Sequence, residues 1–112
     1  MTEFFVSLDL DACKQAVHDA VTDSLTGTLI DRYDLSHPQG GACMVLVYEK
    51  HYYRAGNRLT LTVTLDDFAG PGRTRVHCVG GGGGEGFFRF DWGAADRFED
   101  VIRDALAGYR TE

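Results

Sequence analysis

Basic and histidine side chains alternate along one segment in the middle of the chain. Arg73, Arg75 and His77 stand at every second position, so on a β-strand all three share one face of the sheet. Arginine binds carboxylate and phosphate groups through paired N–H donors, and imidazole adds a further donor or acceptor. Arg89 lies in an aromatic segment, residues 87–90, that we also predict to be a strand on this face. The pattern predicts a sheet face that can bind an anion, a protein partner or a second copy of the chain.

A second basic segment, residues 50–58, lies between two predicted strands. It holds four groups that can be cationic and two tyrosines, so we expect a charged hairpin tip. Such a tip can hold an anion by charge and by cation–π contact. The simpler interpretation is a solvated turn that discourages edge pairing. The candidate binding residues in this segment are Lys50, Tyr52, Arg54 and Arg58.

The sequence shows no spacing typical of a catalytic or metal site. His77 and Cys78 are adjacent, so on a strand they point to opposite faces and cannot act as a base and its nucleophile. Cys13, Cys43 and Cys78 lie far apart and form no CxxC pair, so we predict reduced, mostly buried thiols. We assign no catalytic residue, no metal ligand and no cofactor. An enzyme would need His51 or His77 within hydrogen-bond reach of a carboxylate or a thiol.

A dense glycine run precedes the aromatic segment. Gly81, Gly83 and Gly86 match the GxGxxG pattern of dinucleotide-binding loops. That loop must lead into a helix whose N-terminus meets the pyrophosphate, whereas residues 87–90 are predicted to form a strand. We therefore interpret the run from Gly80 to Gly84 as a flexible connection that uses positive φ angles.

Charge divides by segment along the chain, whose net charge is −6. Residues 1–42 carry two basic and seven acidic side chains, and residues 91–112 carry three and six. The strand-rich middle, residues 43–90, carries six basic and four acidic side chains. Because the helices are acidic and would repel a polyanion, we do not expect nucleic acid as a partner.

Hydrophobic periodicity predicts a strand, a helix, four or five further strands and a second helix. Residues 58–65 give the clearest signal, because four aliphatic side chains share one face and three threonines share the other. Asp9 is the predicted N-cap of the first helix, which ends near Ser24. The second helix begins near Asp91 or Asp96 and continues to Tyr109. The predicted strands cover residues 4–8, 25–35, 43–48, 58–65, 73–79 and 87–90.

This order of elements defines an α+β fold. Consecutive strands joined by short turns pair antiparallel, and two amphipathic helices can cover only one face of the sheet. We therefore predict a single two-layer domain over residues 1–112, with an antiparallel sheet of about five to six strands and both helices on one face. The order is similar to the β-α-β4-α order of the TATA-box-binding-protein-like fold. The helix-grip fold of small ligand-binding proteins is the alternative.

Two stretches of the chain also carry a family resemblance. The first comprises residues 48–52, YEKHY, and 56–65, GNRLTLTVTL; the second is the glycine run with Phe87, Phe88, Gly93 and Phe98. Both resemble a family of small bacterial proteins of unknown function. The resemblance implies a compact single domain and transfers no catalytic or binding residue.

The N-terminal residues show no signal-peptide pattern, and no stretch is apolar enough to cross a membrane. We expect a cytoplasmic, non-enzymatic module that uses its open sheet face to bind a second copy of itself, as a homodimer, or a protein partner. The alternative is a helix-grip-like carrier of a small apolar or anionic ligand, held between the sheet and a helix.

Overall fold

The computed structural model describes residues 1–24, 26–52, 57–82 and 88–111, which form six strands and two helices. The helices are α1 (Leu10–Asp19) and α2 (Phe88–Leu106). A π-helical turn, Ala20–Ser24, follows α1, and a 3-10 turn, Ala107–Tyr109, follows α2. The strands are β1 (Thr2–Val6), β2 (Thr28–Ser36), β3 (Ala42–Tyr52), β4 (Asn57–Asp66), β5 (Thr74–Gly82) and β6 (Arg110–Thr111).

All six strands belong to one antiparallel sheet in the order β2-β3-β4-β5-β1-β6. The strands β2 to β5 are neighbours in sequence order, and β1 lies between β5 and β6. One edge of the sheet is β6, which has two residues, and the other is β2, which has nine. The predicted α+β class and the antiparallel sheet are confirmed.

Both helices contribute to a single core on one side of the sheet, which we call the helix face. Helix α2 packs on β5 and β4, and α1 packs on β4. The alternation predicted for β4 is confirmed, because its aliphatic residues are buried and the threonines between them lie on the opposite, open face. The core residues from these elements are Cys13, Val17, Leu59, Leu61, Val63, Leu65, Phe98, Ile102 and Leu106.

The N-terminus of α1 follows from local sequence. The Asp9 carboxylate accepts a hydrogen bond from the Ala12 amide at 2.7 Å, which satisfies a donor that the helix leaves unpaired. Cys13 and Val17, four residues apart, then face the core. Neither helix in the described part of the chain is long and apolar enough to cross a bilayer.

The strand predicted over residues 87–90 is wrong for residues 88–90, because α2 begins at Phe88; Phe87 lies outside the described residues. Local composition favours a strand there, since aromatic residues are frequent in sheets. However, β5 is already paired with β4 on one side and β1 on the other, so the chain has no free edge beside β5. The next described residues after β5 form a helix. Arg89 therefore belongs to the helix layer and not to the open face.

Glu99 connects α2 to the sheet. Its side chain is only 4% exposed, and it accepts hydrogen bonds from the Thr2 hydroxyl at 2.9 Å and from the Gly80 amide at 3.0 Å. The amino group of Met1 lies 3.1 Å from the same carboxylate. Burial opposes ionisation, but the Gly80, Met1 and Thr2 donors outweigh it and lower the pKa of Glu99. A buried carboxylate thus fastens β1 and β5 to α2.

Candidate functional site

The open face carries the predicted arginine and histidine positions on β5. Arg75 and His77 are half-buried there, and β4 places Asp66 opposite Arg75 and Thr64 opposite His77. Arg73 lies just before β5. Sequence alternation therefore located Arg75 and His77 on one face.

Both arginines contact one aromatic ring. The guanidinium of Arg73 lies 4.0 Å from the centroid of the Phe5 ring, and that of Arg75 lies 5.3 Å from it. The Arg75 Nε is also 3.9 Å from a carboxylate oxygen of Asp66, which is buried. These contacts stabilise the β1–β5 side of the sheet by cation–π attraction and charge. The two arginines, which we expected to bind an anion or a partner, thus already make contacts within the chain.

The hairpin between β3 and β4 separates its candidate residues. Lys50 pairs with Leu59 across the two strands, and Arg58 pairs with His51. Since Leu59 is on the helix face, Lys50 lies on that face and Arg58 on the open face. The backbone of Tyr52 ends β3, and Arg54 lies outside the described residues.

Strand β2 is the most exposed element of the sheet. Every residue in it except Leu29 is exposed, on both faces of the strand. Three large apolar side chains are among them: Ile30 is 52% exposed, Tyr33 57% and Leu35 48%. The helices lie mainly over β4 and β5, so on the helix face of β2 Leu29 packs against the core while the residues from Ile30 onward are exposed. A strand that extends beyond the helix layer in this way presents a continuous surface.

A groove of about 350 Å³ lies between α1 and the β2–β3 hairpin. His18 lines the groove, and its Nδ1 atom is 3.1 Å from the hydroxyl of Tyr48, whose side chain is fully buried. Burial raises the pKa of Tyr48 to about 12, so the phenol keeps its proton. The residues that line the groove are Lys14, Gln15, His18, Leu29, Arg32 and Leu46.

The hydrogen bond between His18 and Tyr48 is not among the features predicted from the sequence. Tyr48 follows Met44 and Leu46 at alternate positions on the helix face of β3. A tyrosine in such an apolar row requires a hydrogen-bond partner for its hydroxyl, and that requirement was the available signal. The identity of the partner depends on where α1 lies over the sheet.

A larger groove of about 620 Å³ is also lined by Arg32, and its other charged side chains are all aspartates. Three of the four carboxylates that line it have partners within the chain. Asp67 accepts a hydrogen bond from the Ala42 amide at 2.7 Å, and Asp34 binds the Arg32 guanidinium at 2.9 Å. Asp9 caps α1, as described above. These carboxylates therefore stabilise turns and strand ends.

The burial and the contacts of the cysteine and histidine side chains determine what chemistry they can take part in. All three cysteines are free, with Cys13 and Cys78 buried and Cys43 half-buried, as predicted. Burial raises the pKa of Cys13 and of Cys78 to about 12, which keeps both thiols protonated. Among the described residues, His77 makes no hydrogen bond to a carboxylate or thiol, and no three potential ligands cluster around a metal position. The side chain of His51 lies outside that description.

The glycine run differs from its prediction. Gly80, Gly81 and Gly82 belong to β5, so for these three the predicted connection is wrong; residues 83–87 are outside the described ranges. A helix does follow the run, contrary to the reason first given against a dinucleotide loop. The dinucleotide-binding unit, however, is built from parallel strands, and β5 is antiparallel to both of its neighbours.

The fold and its surfaces therefore define a class: a two-layer α+β domain with one long exposed edge strand and a groove beside its first helix. Residues 1–110 match the model of a family of unknown function, DUF6054, and the chain belongs to that family. The resemblance to a family of unknown function is thus confirmed. No curated protein and no solved structure gives a significant match.

Proposed function

We propose that this chain is a non-enzymatic module that associates with a second copy of itself through strand β2 and the adjoining open face. The observation that carries the proposal is the exposure of β2. Its large apolar side chains, above all Tyr33 and Leu35, are about half exposed in the single chain. A long edge strand with free backbone donors and acceptors is a template for pairing with another strand.

A second copy of β2 is the occupant that its charges favour. In an antiparallel pair related by a twofold axis, one residue lies opposite itself, and its neighbours lie opposite each other. With Tyr33 at the axis, Arg32 of each copy faces Asp34 of the other. The intrastrand pair, in which Arg32 binds Asp34 at 2.9 Å, then becomes a group of four alternating charges.

Neighbouring registers are less favourable. An axis at Arg32 places the two Arg32 side chains against each other, and an axis at Asp34 does the same for two carboxylates. Like charges directly opposite on paired strands are destabilising. Only an axis at Tyr33 combines opposite charges on the helix face with contact between the two Tyr33 rings on the open face. The strand thus favours one register.

The β1–β5 side of the open face has a different role in this proposal. Arg73 and Arg75 are engaged by Phe5 and Asp66. Strand β2 lies three strands away from β5 in the sheet. Substitutions at Arg75 should therefore leave a β2-mediated dimer intact.

Size-exclusion chromatography with light scattering tests the proposal. We expect the wild-type protein to be a dimer at high concentration, with twice the single-chain mass of 12.4 kDa, and to dissociate on dilution. Tyr33→Lys should be a monomer, because two lysines at the axis repel and lysine is typical of unpaired edge strands.

Arg75→Glu is the matched control and should remain a dimer. A wild-type monomer at every concentration would overturn self-association. A dimer that Arg75→Glu disrupts and Tyr33→Lys does not would move the interface to the β1–β5 side. Circular dichroism of each variant would verify that the fold is retained.

The proposal also covers the source, the cellular location and the fold relationship of the protein. We infer a bacterial, cytoplasmic protein, and the succession of one strand, one helix, four strands and one helix supports a relationship to the TATA-box-binding-protein-like arrangement. The additional strand β6 lies next to β1 at the edge opposite β2.

A further inference from the structure

We propose that the groove between α1 and the β2–β3 hairpin binds a small organic anion with a short apolar chain. This site includes Leu29 and Arg32 of β2, but its principal donors, Lys14 and His18, lie on α1. It also gives the alternative function of a small-ligand carrier a definite location.

The imidazole of His18 lines the groove and is positioned by a hydrogen bond to Tyr48. Tyr48 is buried and keeps its phenolic proton, and its oxygen lies 3.1 Å from the Nδ1 atom of His18. When the phenol donates to Nδ1, the ring proton of a neutral imidazole resides on Nε2. The Nε2–H group is then a donor, and Tyr48 acts as the positioning residue.

Two cations extend this donor set. The guanidinium of Arg32 uses Nε and Nη2 to bind Asp34 at 3.1 and 2.9 Å, so its Nη1 group is left for another acceptor. The ammonium group of Lys14 contacts the neutral amide oxygen of Gln15 at 3.3 Å, which does not cancel its charge.

Two of the neighbouring carboxylates have hydrogen-bond partners within the chain, whereas Asp11 of α1 acts on Arg32 through its charge alone. Asp19 accepts a hydrogen bond from Gln15 at 2.8 Å, and Asp34 is held by Arg32. The polar side chains that line the groove itself are two cations, an imidazole and an amide. Charge-assisted hydrogen bonds to a carboxylate or phosphate are the strongest that such donors can form.

The remaining walls are apolar. Leu29 of β2 and Leu46 of β3 line the groove, and Leu46 belongs to the core. The volume of about 350 Å³ is near the lower end of the range for small-molecule pockets. An anionic head with a short alkyl chain matches this combination, because the alkyl chain can cover the exposed part of Leu29, which inorganic phosphate cannot.

Titration of the full chain by heteronuclear NMR tests the proposal with three probes: hexanoate, hexanamide and inorganic phosphate. We expect hexanoate to shift the amide signals around His18 and Leu46 in a saturable way. Hexanamide and phosphate should bind at least about tenfold more weakly, because one lacks the charge and the other the apolar chain.

Variants locate the site. Lys14→Gln and His18→Gln should each weaken hexanoate binding about fivefold or more, since each removes a charge-assisted or oriented donor. Arg97→Gln is the matched control, because Arg97 is exposed on α2 and does not line the groove. Tyr48→Phe should also weaken hexanoate binding. If only Lys14→Gln weakened it, the attraction would be one of diffuse charge, and the proposed site would be overturned.

Equal affinity for hexanoate and hexanamide would overturn the proposal, and so would unchanged affinity in both α1 variants. If His18→Gln fails to fold, Tyr48→Phe, which removes the hydroxyl that positions the imidazole, replaces it beside Lys14→Gln. A monomeric wild type would overturn the proposed function and leave this inference standing.

Discussion

Replacing Glu99 by alanine is expected to lower the free energy of unfolding by about 2–4 kcal/mol. The substitution leaves the Gly80 amide and the Thr2 hydroxyl without their acceptor in a site where the carboxylate is only 4% exposed. It also releases the connection between α2 and the β1–β5 pair. Urea unfolding followed by circular dichroism measures the change. An exposed α2 variant, Asp104→Ala, should stay within about 0.5 kcal/mol of the wild type.

The pH dependence of the free energy of unfolding is an independent test of the role of Glu99. The pKa of Glu99 is lower in the folded chain than its ordinary value of 4.5, so the ionised form stabilises the fold. This contribution is complete above pH 4.5 and is lost as the pH falls through the lower folded pKa. In Glu99→Gln, which keeps an acceptor oxygen, that part of the acid sensitivity should disappear. An identical acid profile in wild type and Glu99→Gln would contradict the role assigned to the carboxylate.

Gly82→Ala is the second substitution for which we expect a large effect, about 1–3 kcal/mol of lost stability. Gly82 has a φ of +97°, and an added Cβ would lie 2.5 Å from the Arg58 carbonyl oxygen of the neighbouring strand β4. Relief would require β4 and β5 to separate at this end. Thermal unfolding would show the loss as a lower melting temperature.

Gly81→Ala is the matched control one position earlier. Its added Cβ would lie 3.7 Å from the Thr60 hydroxyl, which is an ordinary contact. We expect a change of less than about 0.5 kcal/mol. Equal effects of the two substitutions would contradict a specific backbone requirement at Gly82. The pair therefore tests whether this part of the glycine run serves the geometry of β5.

The elements that local sequence determines were predictable. The aliphatic and threonine residues of β4 alternate without interruption, so the buried face could be assigned before the fold was known. Asp9 is followed at once by helical spacing and does cap α1. Arg75 and His77 shared a face because alternation on a strand requires it.

Other features depend on tertiary arrangement. Residues 88–90 form a helix because both sides of β5 are occupied, which strand propensity cannot reveal. The exposure of β2 depends on the helices lying over β4 and β5. The His18–Tyr48 hydrogen bond joins residues thirty positions apart, so only the packing of α1 against the sheet brings them together.

A charge exchange on strand β2 tests the central claim most directly. The variants are Arg32→Asp, Asp34→Arg and the double substitution, compared by sedimentation equilibrium. Each single substitution turns two attractive pairs into two repulsive ones, so the dimer dissociation constant should rise about tenfold or more.

The double substitution restores opposite charges in the same register. We predict that its dissociation constant returns to within about threefold of the wild-type value. A double variant that stays as dissociated as the single variants, or a wild type that is monomeric throughout, would contradict pairing of β2 about Tyr33.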